Sequence, residues 1–422
     1  MSNRITFFSL LLASVLLLTS CSKDDDAIQN QAFNIDFSSV TIGSVAVEVS
    51  GLNPNDQVLS SGLVWGETET PAIETNNFVL KSVISGTFQD TIYGLLKNTA
   101  YNFRAFQQTA NGVDYGSVFL VETSATCVGE TFQGNVFLGS QKEVDDFDVS
   151  NICSINGSFE LTSENLLDPI IDISKFSNVS QVNTLQIYNN RELKSIVGLQ
   201  NIETVSEFIY IGDNRELLTI SPLSSLSGTV EAISIVDNEK LIDLNGLNGV
   251  RVVGSDANGG LEIRDNYSLE SLGSFDTLEQ LGNFTLTSNP ALVSFEFPNL
   301  EGSLEQLAIE ENGSLVSVAS LGTLDDINYI SIDGCLLLEN LDGLNSVAKV
   351  GFMQISNSSL TNLDFLSNLS EGEQAFIDSN GELSDFCGLQ GVIQSGGFID
   401  FNANGNAYNP TRNDIVNGNC SL

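Results

Sequence analysis

The chain repeats itself after Cys127. The repeating unit carries alternating Leu or Ile residues, then an asparagine or its substitute three residues later, then further leucines spaced three apart. Successive asparagine-equivalent positions are separated by 24, 24, 28, 23, 23, 23, 23, 22 and 24 residues, and chance does not keep such a register over ten units. These positions are Asn190, Asn214, Asn238, Asn266, Asn289, Asn312, Cys335, Ser358, Asn380 and Asn404.

Each unit predicts one short strand and one return segment. The alternating Leu-x-Ile pattern is typical of a strand with both apolar side chains on one face. The asparagine that follows can close the turn by bonding neighbouring backbone groups, and the later leucines bring the chain back through the interior. A coil of this kind buries its apolar side only against its neighbours. The sequence therefore predicts a solenoid of about ten coils, a rod on the order of 50 Å long.

Residues 127–422 resemble the receptor L-domain, the leucine-rich, right-handed β-helical module of insulin and epidermal growth factor receptors. The resemblance includes both ends, at Cys127–Val136 and at Phe386–Leu389 with Asn409–Thr411. It implies the fold and a ligand-binding face. We find no kinase and no cysteine-rich module in the sequence, so it does not imply the receptor role. A plain leucine-rich repeat is the close structural alternative.

Residues 32–125 predict a small antiparallel β-sandwich, because short alternating runs are separated there by Gly, Asn and Asp. The segment Leu95–Tyr101 resembles the tyrosine corner of fibronectin type III domains, and Trp65 is expected in the core. The whole chain is thus predicted to be all-β. The clearest strands of the sandwich are Val45–Val49, Gly62–Trp65 and Tyr101–Phe106.

The first 31 residues predict the cellular location of the protein. Residues 1–20 form a secretory signal peptide, and Leu18–Cys21 resembles the bacterial lipobox, in which the cysteine is acylated. The alternative is an ordinary signal peptide with an incidental cysteine. The acidic tether 21–31 resembles the export signal of surface lipoproteins of Bacteroidetes, and a solvated spacer is its simpler interpretation. We expect attachment through Cys21 to the outer membrane, with the folded part facing outward.

The positions of the remaining cysteines within the repeats predict the role of each one. Cys127 and Cys153 flank the first coil, and Cys387 and Cys420 flank the last. We expect two disulfides that close the ends of the solenoid, since an exported protein folds in an oxidising compartment. Cys335 occupies an asparagine position and is expected to be a buried free thiol.

Composition excludes several classes of function. The chain has 54 Asp plus Glu, 15 Lys plus Arg and no His, for a net charge of −39, which argues against nucleic-acid partners. Without histidine it can form neither a Ser-His-Asp nor a Cys-His catalytic system. The segment Asp400–Gly405 matches the first half of a calcium loop, but Thr411 stands where a glutamate is required. We expect no enzyme activity, catalytic residue, metal or cofactor.

The predicted function is non-catalytic recognition. A solenoid binds through the outward positions of its strands, because the inward ones form the core. A monomer that recognises an extracellular protein or glycan, and contacts the membrane through its lipid, is the first hypothesis. A structural surface-layer component without a specific ligand is the alternative, and a carboxylate-dependent glycan-processing enzyme is a third. The candidate ligand-binding residues are Gln186, Tyr188, Tyr210, Glu262 and Arg264.

Overall fold

A computed structural model describes residues 33–53, 58–81, 86–254 and 259–422. The predicted signal peptide, the predicted lipid-attachment residue Cys21 and the acidic tether lie outside the described residues. In the described part of the chain, no helix has the length and apolar character needed to cross a membrane.

The N-terminal body, residues 33–125, consists of two antiparallel sheets that share one apolar core. Alternation in the second strand points Val45, Val47 and Val49 inward, where all three are buried. Trp65 is partly buried and packs against this core. The strands are β1 (Asn34–Val40), β2 (Val45–Ser50), β3 (Val58–Gly66), β4 (Asn77–Lys81), β5 (Phe88–Ile92), β6 (Ala100–Thr109) and β7 (Gly112–Glu122). The sheet orders are β1-β2-β5 and β4-β3-β6-β7.

The repeat body, residues 127–422, is built mainly from short parallel strands. Its strands are β8 (Glu130–Gln133), β9 (Val136–Leu138), β10 (Ile152–Thr162), β11 (Gln181–Tyr188), β12 (Thr204–Gly212), β13 (Gly228–Val230), β14 (Ala232–Val236), β15 (Val250–Val253), β16 (Gly260–Arg264), β17 (Gln280–Leu281), β18 (Asn283–Thr287), β19 (Ser294–Glu296), β20 (Glu301–Glu310), β21 (Ser317–Ser320), β22 (Thr323–Asp333), β23 (Lys349–Ser356), β24 (Glu371–Asp378) and β25 (Asp400–Asn404). Its α-helices are α1 (Gln141–Asp146), α2 (Gln390–Gln394) and α3 (Arg412–Val416). Its 3₁₀ turns are Ser174–Asn178, Ser221–Ser225, Asn245–Leu247, Asp342–Leu344, Asp364–Leu366 and Cys387–Leu389.

One parallel sheet of 13 strands runs through the repeat body in the order β8-β10-β11-β12-β14-β16-β18-β20-β22-β23-β24-β25, with β9 also paired to β10. Each repeat thus adds one strand beside the previous one, as the spacing predicts. Two smaller parallel sheets, β13-β15-β17 and β19-β21, lie elsewhere on the repeats. The all-β expectation is confirmed.

The inward residues of successive strands stack on one another. Leu185, Ile209 and Ile233 lie opposite one another in the register of neighbouring strands, and all are buried. A single apolar core extends in this way from Val136 to Cys420. Each repeat is therefore stabilised mainly by its two neighbours.

A buried row of side-chain amides, the asparagine ladder, joins the turns that follow the strands. Asn214 donates from Nδ2 to the carbonyl of Ile187 at 2.8 Å, and its backbone N–H donates to Oδ1 of Asn238 at 3.3 Å. The same pattern recurs along the repeats, so each amide satisfies backbone groups of the preceding unit. Cys335 interrupts the ladder as a buried free thiol whose Sγ lies 3.6 Å from the carbonyl oxygen of Ile309.

The predicted register of the last unit is wrong. Asn404 is exposed at the end of β25, and the ladder continues instead to Asn406, whose Oδ1 accepts from the N–H of Asn380 at 3.0 Å. The strand turns Phe401 and Ala403 toward the core. The sequence pattern predicts Phe401 as the second apolar position of this unit, because an alanine at position 403 is a weak hydrophobic signal.

Both ends of the repeat body carry a disulfide. Cys127 pairs with Cys153, and Cys387 pairs with Cys420. The first bond links the chain just before β8 to β10, and the second links the last 3₁₀ turn to the segment after α3. The end repeats have a neighbour on one side only, so covalent closure replaces part of the stabilisation that inner repeats gain from packing.

Candidate functional site

The outward face of the 13-stranded sheet carries the predicted binding residues. Parallel pairing aligns its side chains into rows that cross the strands. The first outward row is Thr184, Phe208, Ala232, Gly260, Asn283, Gln306, Tyr329, Phe352, Gln374 and Asp400. The second outward row is Gln186, Tyr210, Ser234, Glu262, Thr285, Ala308, Ser331, Gln354, Phe376 and Asn402.

A groove of about 550 Å³ opens in this face between β12 and β18. Its floor is low because Ala232 and Gly260 occupy the first row there, between Phe208 on one side and Asn283 on the other. A Cβ atom at Gly260 would lie 2.3 Å from the backbone oxygen of Asn283, so β16 can approach β18 in this way only with glycine. The groove is lined by Gln186, Phe208, Tyr210, Ala232, Ile233, Ser234, Gly259, Gly260, Leu261, Glu262, Asn283 and Thr285.

The aromatic wall of the groove is Phe208 and Tyr210. Their ring centroids are 6.1 Å apart and their planes differ by 13°, and the ring of Tyr188 lies 5.8 Å from that of Tyr210. A Cβ atom at Gly212 would be 2.6 Å from both Cζ and Oη of Tyr210. The tyrosine ring therefore extends along β12 over a position that has no side chain.

Polar groups on the groove face are already hydrogen-bonded within the protein. Gln186 donates from Nε2 to Oγ of Ser158 at 3.1 Å. Ser234 donates from Oγ to Glu262 at 2.6 Å. These contacts hold an amide and a carboxylate in fixed positions at the groove, which lowers the entropy cost of using them to bind a ligand.

Two of the predicted residues flank the groove without lining it. The Tyr188 hydroxyl donates to Glu160, a bond that raises the pKa of Tyr188 to about 12. Arg264 donates from Nη1 to Asp265 at 2.7 Å and lies 3.4 Å from Glu262. The guanidinium is thus neutralised by its own neighbours, as expected for a solvated ion-pair face.

The structure therefore brings Gln186, Tyr210 and Glu262 together at one groove. Sequence reasoning missed its other side chains, of which Phe208, Asn283 and Thr285 matter most. Phe208 could have been found, since it lies two residues before Tyr210 and must share its face. The others become neighbours only through the pairing of strands from different repeats.

A second group of rings occupies the same two rows farther along the sheet. We call Tyr329, Phe352 and Phe376 the distal aromatic cluster. The rings of Tyr329 and Phe352 are 5.0 Å apart with planes within 5°, and Phe376 lies 5.6 Å from Phe352. Tyr329 keeps 37% of its surface exposed. None of these residues was singled out by the sequence analysis.

The residues that the structure describes contain no group of three or more carboxylate or thiol side chains that could hold a metal ion. The five described cysteines are two disulfides and the buried thiol of Cys335. The groove is lined by aromatic rings, amides, hydroxyls and the carboxylate of Glu262.

Neither a protein family nor a curated protein matches the chain significantly. The fold and the groove are therefore the basis for assigning a function.

Proposed function

We propose that this protein is a non-catalytic, lipid-anchored surface protein that recognises an extracellular protein or glycan through the groove on its parallel sheet. The observation that carries the proposal is the groove itself. It combines an aromatic wall at Phe208 and Tyr210 with oriented polar groups at Gln186, Glu262 and Asn283. Binding sites typically combine apolar surface with a few placed polar groups in this way.

The proposal includes the architecture suggested by the two sequence resemblances. A fibronectin type III-like body would act as a spacer, and a receptor L-domain-like solenoid would present the groove. Support for the first comes from Tyr101, whose hydroxyl accepts a hydrogen bond of 3.0 Å from the N–H of Leu96, the contact that defines a tyrosine corner. Support for the second comes from one strand per repeat in a single parallel sheet.

Recognition fits the groove better than glycan hydrolysis. Among the described lining residues, Glu262 is the one carboxylate, whereas glycosidases generally use two carboxyl groups about 5 to 10 Å apart. Glu262 also accepts a hydrogen bond from Ser234 and lies beside Arg264. The oxygens of the one carboxylate in the groove are thus already engaged in contacts within the protein.

Binding to whole polysaccharides and to extracellular matrix proteins would test the proposal, with Tyr210→Ala compared to wild type. We expect saturable binding to at least one of these probes, weakened about tenfold or more by Tyr210→Ala. Tyr267→Ala is the matched control, because Tyr267 is a 54% exposed tyrosine that does not line the groove. No saturable binding to any probe would favour the structural alternative, and turnover of a polysaccharide would favour the enzyme.

The surface location needs its own experiment. Protease treatment of intact cells should cleave the repeat body of the wild-type protein. A Cys21→Ala variant should lose membrane attachment, since an acyl chain supplies about 0.8 kcal/mol per buried CH₂ group. Protection of the repeat body until the outer membrane is opened would contradict an outward location.

A further inference from the structure

The groove and the distal aromatic cluster lie on one line across the sheet. Phe208 and Tyr329 belong to the same outward row, and five parallel pairings connect their strands, from β12 through β14, β16, β18 and β20 to β22. Neighbouring strands are about 4.8 Å apart, so the two aromatic groups are separated by about 24 Å.

The stretch between the two aromatic groups is small and polar. Beyond the groove the first row continues with Gln306, and the second continues with Ala308 and Ser331. Ala308 and Ser331 are small side chains that are covered by their neighbours, and the Ser331 hydroxyl donates to Glu310. Gln306 and Thr285 are therefore the polar groups of this stretch that a ligand could contact. Gln354 and Gln374 then lie among the distal rings. A long ligand could pass from one aromatic group to the other over amides and hydroxyls.

The charge of this surface selects against anionic ligands. Among the described residues of the two rows, Glu262 and Asp400 are the charged ones, and both are acidic. The nearby Arg264 is paired with Glu262 and Asp265. The chain as a whole has a net charge of −39. A uronic-acid polymer or a phosphorylated ligand would be repelled over the whole approach.

The distribution of rings also argues against a globular protein as the ligand. A protein interface concentrates its aromatic residues in one dry core with a polar rim around it. Here two aromatic groups stand apart, with polar and small side chains between them. Sugar rings have apolar faces that pack on aromatic rings and hydroxyls that bond amides and carboxylates. A polysaccharide can therefore contact both the aromatic groups and the polar side chains between them along its whole length.

We propose that the two outward rows form one binding track for a neutral polysaccharide, with its chain running across the strands from the Phe208–Tyr210 wall to the distal aromatic cluster. The inference rests on the proposed recognition function and narrows its ligand. The distal aromatic cluster acts as a second contact region, so it strengthens binding only for chains long enough to reach it.

Calorimetric titration with neutral glucan, mannan and xylan oligosaccharides of increasing length would test the track. Affinity should rise about tenfold or more once an oligosaccharide spans about 24 Å. Phe352→Ala should abolish this rise of affinity with chain length. Tyr210→Ala should weaken short and long oligosaccharides alike. Phe352→Leu keeps an apolar side chain and removes the ring, and so reports on the track if the alanine variant folds poorly.

Three outcomes separate this inference from the proposed function. Binding of short and long oligosaccharides with equal affinity, lost in Tyr210→Ala, would keep the groove and overturn the track. The track would also be overturned if Phe352→Ala lost no more affinity for long oligosaccharides than the control Tyr267→Ala. Binding of a matrix protein or of polygalacturonate in place of every neutral glycan would overturn the neutral ligand while leaving recognition intact. Melting temperatures of all variants show whether each is folded.

Discussion

The side-chain amide of Asn201 in the repeat body donates a hydrogen bond of 2.8 Å to the backbone carbonyl of Leu95 in the N-terminal body. The same amide also donates to the carbonyl of Ser177, and its oxygen accepts from the N–H of Lys97 at 2.9 Å. Asn201 is fully buried. One side chain thus satisfies backbone groups on both sides of the junction.

Replacing Asn201 with leucine should loosen this junction. The substitution keeps the approximate volume but leaves the Ser177 carbonyl without its side-chain donor and the Lys97 N–H without its acceptor, whereas the Leu95 carbonyl keeps a hydrogen bond from Gln200. An unsatisfied buried polar group costs about 1–3 kcal/mol, so we expect the free energy of unfolding to fall by about 3 kcal/mol in chemical denaturation. Asn368→Ala is the control, because Asn368 makes a similar bond, to the carbonyl of Asn345 at 2.7 Å, on the surface. Equal losses in both variants would contradict the role of the junction.

The gap in the asparagine ladder predicts a stabilising substitution. In Cys335→Asn the new amide can donate to the carbonyl of Ile309, as Asn312 donates to Leu286 at 2.8 Å one unit earlier. Its oxygen can accept from the backbone N–H of Asn312. We expect a gain of about 1 kcal/mol in unfolding free energy. A lower melting temperature would mean that the site is shaped for the smaller thiol, and Cys335→Ser separates the effect of losing sulfur.

Stability should also depend on pH through this thiol. Burial raises the pKa of Cys335 to about 11 from its ordinary value of 9.0. Between these pH values the unfolded chain releases a proton that the folded protein keeps, so this group's contribution to stability is lost as pH rises through that range. The unfolding free energy of wild type should therefore fall more steeply between about pH 9 and 11 than that of Cys335→Ala. Parallel curves for the two proteins would refute the assignment.

The disulfide at the end of the repeat body should protect that end selectively. Replacing Cys387 and Cys420 together with serine opens a loop of 33 residues, which should cost about 4 kcal/mol. Because repeats depend mainly on their neighbours, amide exchange should rise in β24 and β25 and remain slow in β14 and β16. The corresponding Cys127 and Cys153 variant is the control, with its effect expected at the opposite end. A uniform rise along the chain would contradict the local role.

The period of the sequence was enough to predict the strands of the repeat body, because a fixed spacing of inward Leu and Ile residues places one strand in each unit. The periodicity gave the wrong register at Ala403, because this inward side chain is too small to be recognised as an apolar position. The same period also predicted the face of the sheet on which the groove lies, since outward positions follow from alternation. The same alternation predicts Tyr188 and Arg264 as ligand-binding residues. In the structure, however, Tyr188 donates a hydrogen bond to Glu160 and Arg264 donates one to Asp265.

Other features of the molecule depend on contacts between distant residues. The groove floor arises because Ala232 and Gly260 become register partners across a gap in sequence. The buried asparagine at the junction, Asn201, cannot be told from a solvated one without knowing what packs on it. The distal aromatic cluster likewise joins rings from three repeats. Only the three-dimensional pairing of repeats reveals these sites.

Gly212 offers a test of the groove that leaves its lining residues unchanged. Any side chain at this position would meet the end of the Tyr210 ring, since Cβ would lie 2.6 Å from Cζ and Oη. Because the ring end can swing outward, Gly212→Ala should leave the melting temperature nearly unchanged and weaken ligand binding about tenfold. In a Tyr210→Ala background the same substitution should have no further effect, because the ring it displaces is absent. Additive losses in the double variant would show that Gly212 acts on binding by a route other than Tyr210.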